Sequence, residues 1–376
     1  MQYSSEKEVD NQQNQVQQSF HQPSFYDEIN VKLNKNEELP SNDAHNFPWR
    51  RLFARFIDFG IYRLVWLVIE KLFLHWNYDA SLYNLLTNYV VLGIMLVLEP
   101  ILLCVFGTTL GKLIFGFRLR DLGGNKLSFH YAFGRTVSMI WHGLGWEIPI
   151  YEFYRYYRCY KECNEGYQMV WDENLDYTLK DKKGVRLIAI PIVAAGMLFL
   201  STVIVNQAFL PVNRGSLTQE EFVENVNEYI KFLGVEHQKL NLDGTWNQDE
   251  NDYIIMVGST KTPEYEFIMD GEQVIGVRME LYTTDDVVYR SAMEEFLAYL
   301  SLWGAQKKIH WNHVRDGLKF VERLDQYSSY SIEYSGVRIS NEVSITGYEV
   351  SDQLLFSKEN EEPSFHMMFT IELVNP

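Results

Sequence analysis

The sequence predicts an α-helical membrane bundle, with three spans plus a re-entrant or interfacial helical hairpin, followed by a soluble α+β domain. Three observations carry this expectation. Apolar segments recur between residues 52 and 210, and the last of them, Leu187 to Leu210, holds no charged residue. Beyond residue 212 the pattern changes to short strand-like runs and amphipathic helical runs. The charge divides at the same place: residues 212–376 hold 13 Lys/Arg against 29 Asp/Glu, whereas residues 51–211 are mildly basic.

The chain divides into an arm (1–48), a membrane domain (49–185), a last transmembrane helix (186–211) and an extracytoplasmic domain (212–376). Residues 1–48 are rich in Gln, Asn, Ser and acids, with no apolar stretch of the kind a signal peptide needs. Such a composition predicts a disordered cytosolic arm.

The first span is expected from about Leu52 to Trp76 and is unusually polar, carrying Arg55, Asp58, Arg63, Glu70 and Lys71. Arg55 and Asp58 lie three apart and so share a helix face. Glu70 and Lys71, near the outer end, are expected to snorkel. The second span, about Leu85 to Phe106, holds one charge, Glu99, followed by Pro100. Glu99 is expected to be neutral or to pair with Arg63. A bilayer core of ~30 Å needs about 20 helical residues, and both segments are long enough.

The loop Gly107–Ser128 opens on Gly107-Thr108-Thr109-Leu110-Gly111-Lys112 and continues to Gly116. The glycines there are expected to let backbones approach closely. It is not a phosphate loop, because the four-residue spacer before a Gly-Lys-Ser/Thr ending is missing. Phe129–Tyr157 is apolar and aromatic but broken by Gly143, Gly145 and Pro149, so each half is too short to cross. A re-entrant hairpin and an interfacial helix pair both fit. After a polar loop, Leu187–Leu210 is the clearest span.

Basic residues set the topology. Arg50 and Arg51, then Lys112, Arg118 and Arg120, then Lys182, Lys183 and Arg186 mark cytosolic sides. The N-terminus is therefore expected in the cytoplasm and the C-terminal domain outside, in a multi-pass protein of the cell membrane.

In the C-terminal region Thr218 is expected to cap a helix running to Leu233. Strands are expected at Tyr253–Val257, Tyr265–Met269, Val274–Tyr282, Tyr330–Tyr334, Glu342–Val350 and Phe365–Leu373, with turns at Asp243-Gly244 and Asp270-Gly271. Helices are expected at Val287–Trp303 and Lys308–Leu324.

The residues of the membrane region resemble the RDD family, which is named for one arginine and two aspartates. The resemblance rests on Arg55 and Asp58, the Gly-Thr-Thr-Leu-Gly-Lys run, Gly116-Phe117-Arg118-Leu119-Arg120-Asp121, Gly123-Gly124, Arg135, Val170-Trp171-Asp172 and Tyr177-Thr178. It covers about residues 49–185. Arg55 matches the arginine, Asp58 the first aspartate, and Asp172 the second, with Asp176 as the alternative. The histidine expected before the second aspartate is replaced here by Trp171. The resemblance implies a polytopic membrane protein of poorly defined function, with transport the usual suggestion and sodium/proton exchange associated with some relatives.

No catalytic signature is present, so the chain is not expected to be an enzyme and no cofactor is expected. Three cysteines give no disulfide framework, and Cys159 and Cys163 are expected as free thiols. His310 and His313, with His237 and His366 elsewhere, are expected to be ordinary surface histidines, and no metal site is expected. An acidic chain argues against a nucleic-acid partner. Two functional readings follow. In one, the membrane part anchors an acidic outer domain that binds a protein or envelope partner. In the other, it is a small cation/proton exchanger or solute transporter using Asp58, with Glu99. The lipid bilayer is the one partner common to both.

Overall fold

The computed structural model describes residues 47–76, 81–173, 175–181, 184–234, 239–247, 262–289, 292–322, 327–351 and 354–374, with the side chains of 81–85 left aside. The arm to residue 46, the Tyr253–Val257 strand, His237, Lys182 and Lys183 lie outside the described residues.

Helix α1 (Pro48–Val68) starts on a proline, whose missing N–H costs nothing in a first turn. It continues into a π-helical turn, Ile69–Phe73. Helix α2 (Ser81–Phe106) retains Pro100 within it. Gly107 ends it with φ +68°, donating its N–H to the Leu103 carbonyl, as glycine does after many helix C-termini. The short helix α3 (Leu110–Ile114) follows, and Gly116 at φ +81° turns the chain into β1 (Phe117–Asp121). This strand pairs antiparallel with β2 (Leu175–Leu179), from Phe117 opposite Leu179 to Asp121 opposite Leu175. That two-stranded sheet was not expected from the sequence. Its buried face, Phe117, Leu119, Leu175 and Tyr177, packs with Ala54, Ile57 and Leu103 into one core.

Residues 129–164 fold back on themselves. Helix α4 (Phe129–Met139) runs on through a π-helical stretch to Leu144 and a 3-10 turn, and helix α5 (Tyr151–Asn164) returns. Met139 and Ile140 sit in one cluster with Tyr62, so α4 climbs beside α1. On α5, Tyr156 meets Phe56 and Tyr160 meets Trp49, so α5 descends it. The tip is formed by Gly145, Trp146, Glu147 and Ile150, all at positive φ. The glycine and proline breaks concentrate at this one turn, so the two halves form one helical hairpin.

Helix α6 (Ala189–Ala208), led by a 3-10 stretch from Gly184, is apolar, and Ala208 is its one buried residue. Among the described residues, two helices are long and apolar enough to cross a membrane: Leu86–Phe106 and Gly184–Ala208. Helix α1 has the length but carries charges along it. Glu70 and Lys71 do not snorkel as expected. Both are buried and pair with each other at 2.8 Å, and Lys71 Nζ donates to the Trp76 carbonyl. The π-turn holds them close to the rest of the helical domain.

The C-terminal region is an antiparallel sheet under two helices. In chain order its strands are β3 (Leu217–Thr218), β4 (Lys239–Leu240), β5 (Trp246–Asn247), β6 (Glu266–Asp270), β7 (Gln273–Thr283), β8 (Val287–Tyr289), β9 (Tyr330–Tyr334), β10 (Val337–Thr346), β11 (Tyr348–Ser351), β12 (Leu354–Ser357) and β13 (Ser364–Leu373), and the main sheet runs β3, β7, β13, β10, β9, with β6 also on β7. In β13 the residues Phe365, Met367, Phe369 and Ile371 alternate inward, as a half-covered sheet requires. Helices α7 (Gln219–Leu233) and α8 (Met293–Ala305) cover that face and share its core. Thr218 caps α7 in a reciprocal capping box with Glu221.

Two expectations for this region need correction. Val287–Tyr289 is a strand, paired through Leu354–Ser357 to Tyr348–Ser351, and α8 begins only at Met293. Residues of this β-branched run found strand partners instead of extending the helix. The Lys308–Leu324 run yields only the short helix Val314–Val321. Strand β10 also begins earlier than expected, at Val337, and Gly347 at φ +68° separates it from the next strand.

The short segment 209–216 that joins α6 to this region is packed against it. Leu210 is buried in the C-terminal core, Phe209 packs edge-on against Phe232, and Tyr229 Oη donates to the Phe209 carbonyl at 2.8 Å. Pro211 lies against Gly304 so closely that a Cβ there would come within 2.8 Å of it.

Candidate functional site

The charges of the helical region meet in one buried network. Asp58, on the third turn of α1, is 1% exposed. Its Oδ1 accepts the Gly111 backbone N–H at 2.7 Å and its Oδ2 accepts from Thr109 Oγ1 at 2.5 Å. Lys112 Nζ stands 3.7 Å from Oδ2. Two glycine-motif roles therefore differ from a shared close-packing role. Gly107 and Gly116 serve turns, whereas Gly111 serves contact: a Cβ there would meet the Ala54 carbonyl oxygen at 2.1 Å.

Glu99 is the hub of the network. Arg55 donates to it from both Nη1 (2.6 Å) and Nη2 (3.2 Å), Lys112 Nζ at 2.9 Å and Arg135 Nη1 at 3.2 Å. It pairs with Arg55, Lys112 and Arg135 and not with Arg63, the partner the sequence suggested. The reason is geometric: α2 runs antiparallel to α1, which brings Glu99 level with Arg55. Arg55 and Asp58 likewise share a helix face without pairing, because each reaches a different neighbour.

Arg135 bridges onward to Asp172, donating from Nε at 3.0 Å and Nη2 at 2.7 Å. Arg51 Nη2 reaches the other Asp172 oxygen at 2.5 Å, and its guanidinium lies 4.6 Å over the Tyr177 ring. Burial alone would raise the Asp172 carboxyl, but Arg135 and Arg51 hold it below the ordinary aspartate range. Asp176, the alternative second aspartate, lies on β2 opposite Arg120 and takes no part in this network.

The network thus joins four cations, Arg51, Arg55, Lys112 and Arg135, to three carboxylates, Asp58, Glu99 and Asp172. Every carboxylate oxygen accepts at least one hydrogen bond. Removing any one partner strands a buried charge, which costs about 3–5 kcal/mol. Arg51, Lys112 and Arg135 are the members not legible as site residues. Arg51 reads as a topology charge and Lys112 as part of a glycine motif. Arg135, isolated in an aromatic segment, was the one available signal, since a lone charge in apolar sequence usually has a partner.

Beside the network lies a cavity of about 110 Å³ between α1, α4, α5 and the segment before β2. All four cations line it, together with apolar and aromatic groups and the two thiols Cys159 and Cys163. Burial pushes the Cys159 thiol up to about 11. In the C-terminal region, the His310 backbone N–H donates to His313 Nδ1, and His366 Nε2 lies 2.8 Å from Glu280.

The family model described as the RDD family matches residues 46–218. The sheet-rich C-terminal region lies beyond the match, apart from its first residues. No curated protein and no solved structure matches the chain.

Proposed function

Because residues 46–218 belong to the RDD family, which suggests a membrane protein, we propose that the helical region is a membrane anchor that holds the acidic C-terminal domain rigidly outside the cytoplasm, where that domain binds a protein or envelope partner. In this reading α1, α2 and α6 span, and the α4–α5 hairpin re-enters from the cytosolic side.

One observation carries the reading. The end of α6 is part of the C-terminal domain's core, through Leu210, Phe209 and Pro211. A carrier with an accessory domain needs no such fusion, whereas a presenting anchor does. The uncovered sheet face, with Arg278, Glu280, Tyr282, Glu342 and His366 exposed or half-exposed, supplies a polar surface for the partner.

The exchanger reading has less support from the geometry. A cation at Asp58 would have to displace Lys112, Thr109 or the Gly111 N–H, and one at Glu99 would have to displace two arginines and a lysine. None of the three carboxylates lines the cavity.

The test is labelling in intact cells. A cysteine placed at Glu333, on the edge strand β9, should react with a membrane-impermeant maleimide without permeabilisation. Labelling only after permeabilisation would refute the outward placement. Photo-crosslinkers at Tyr282 and Glu342 should then give one discrete adduct, and adducts no different from those at a helix-covered control position would refute partner binding. For the alternative, Asp58→Asn abolishing cation-induced pH relaxation in everted vesicles would restore the exchanger.

A further inference from the structure

We propose that the cavity beside the charge network binds a soft monovalent metal ion of the Cu(I) class, through the thiolates of Cys159 and Cys163 and the thioethers of Met139 and Met169. All four sulfur-bearing side chains line this one cavity, from α4, α5 and the segment before β2. Cys159 and Cys163 are free thiols four apart on α5, so they share a helix face. Side chains in that relation have Cβ atoms about 5–6 Å apart. One ion can bridge such a pair through metal–sulfur bonds of about 2.3 Å. Met139 and Met169 are each 2% exposed, and an unbranched thioether with three torsions can turn its sulfur toward an ion.

The donor set selects the metal. No histidine and no carboxylate lines the cavity, and among the described residues no three His, Cys, Asp or Glu side chains converge as a metal group. Hard ions, which take oxygen, and Zn(II), which takes nitrogen, oxygen or thiolate, therefore lack a complete set. Thiolates with thioethers suit Cu(I). The cationic walls do not expel the ion, because binding displaces protons. One Cu(I) enters, two S–H bonds break, two copper–sulfur bonds form and two protons leave, with no change of oxidation state. Occupancy thus adds one negative charge to the site. Burial holds both thiols up, Cys159 to about 11. Arg155, Arg51 and Arg158 oppose that at Cys159, against Glu162, and Arg51 does so at Cys163, against Asp172. An arginine's field favours a nearby thiolate whichever hydrogen bonds the arginine makes.

The inference stands apart from the anchoring role, since it concerns only the helical region. It is tested on detergent-solubilised full-length protein carrying Cys104→Ala, which removes the thiol that lies outside the cavity. Silver nitrate in chloride-free buffer serves as a soft monovalent probe with no redox chemistry of its own, and Zn(II) as the comparison. Calorimetric titration reads stoichiometry and affinity. Maleimide alkylation, run at raised pH and read by mass spectrometry, reports which thiols are covered. The expected result is one Ag(I) per chain, protection of Cys159 and Cys163 together, and binding of Zn(II) at least about 100-fold weaker. Release of two protons should make the apparent affinity rise roughly 100-fold per pH unit below the thiol pKa values.

Two kinds of variant separate binding from folding. Cys163→Ser removes one thiolate and should abolish both the one-to-one binding and the protection of Cys159. Met139→Leu combined with Met169→Leu nearly conserves volume, so the fold is kept, and the loss of both thioethers should weaken Ag(I) binding roughly tenfold or more. No saturable binding, a separate ion on each thiol, or Zn(II) bound as tightly as Ag(I) would overturn the proposal. So would an affinity left unchanged in folded Cys163→Ser protein or in the folded double-leucine variant.

Discussion

Replacing Asp172 by Asn should destabilise the helical region far more than replacing Asp176, four residues on. Asp172 is fully buried and accepts three hydrogen bonds from Arg135 and Arg51. Its neutral amide keeps the shape but removes the carboxylate shared by two buried guanidiniums, leaving Arg135 with Glu99 at 3.2 Å. Breaking a buried pair in this way costs about 3–5 kcal/mol. Asp176 sits half-exposed on a two-stranded sheet opposite Arg120, and a pair of that kind contributes about 1 kcal/mol at most. For a domain of 150–250 residues each kcal/mol moves Tm by roughly 2–4 °C, so the two substitutions should lower it by roughly 6–20 °C and by no more than about 4 °C. Tryptophan fluorescence of the solubilised protein reads this out, and Trp171 adjoins the site. Adding Arg51→Gln to Asp172→Asn should restore part of the loss, because one stranded cation is removed. Equal shifts for the two aspartates, or no rescue in the double variant, would refute the reasoning.

Four further outcomes follow from the same contacts. Asp172 has a depressed folded-state pKa, so it stabilises fully above the unfolded value and progressively less as pH falls through about 4 toward the folded one; an acid titration of Tm should show this limb, and Asp172→Asn should flatten it. Gly111→Ala places a methyl 2.1 Å from the Ala54 carbonyl oxygen and strains the hydrogen bond to Asp58, with an expected loss of about 2–5 kcal/mol by thermal unfolding. Thr218→Ala removes the capping box of α7 and should cost the C-terminal domain about 0.5–2 kcal/mol, seen as a lower denaturant midpoint. Tyr229→Phe deletes the hydrogen bond to the Phe209 carbonyl, costs about 1 kcal/mol, and should raise proteolytic cleavage near residues 210–216.

Much of the architecture was legible because it rests on local pattern. The uncharged run ending at Leu210, the Thr218 cap and the alternation in β13 each follow from neighbours in sequence. The errors came where an element needed a distant partner. Val287–Tyr289 reads equally as helix or strand until Leu354–Phe356 pairs with it. Strands β1 and β2 are separated by 53 residues between their facing ends, Asp121 and Leu175, and no local signal joins them. In the site, Asp58, Glu99 and Asp172 were visible as carboxylates in unusual places. Their true partners were not, since which cation faces which carboxylate depends on the antiparallel run of α2 against α1 and on the β1–β2 pairing that delivers Asp172.

Helix α6 is fastened at both ends. Near its start Arg186 grips Asp181 at 2.6 Å and the Ile114 carbonyl at 2.6 Å; at its finish the chain passes straight into folded core. A rod clamped this way fixes azimuth as well as height. One residue inserted midway would swing the distal body by roughly 100° about the axis, while four would bring it nearly back into phase, about 6 Å further out.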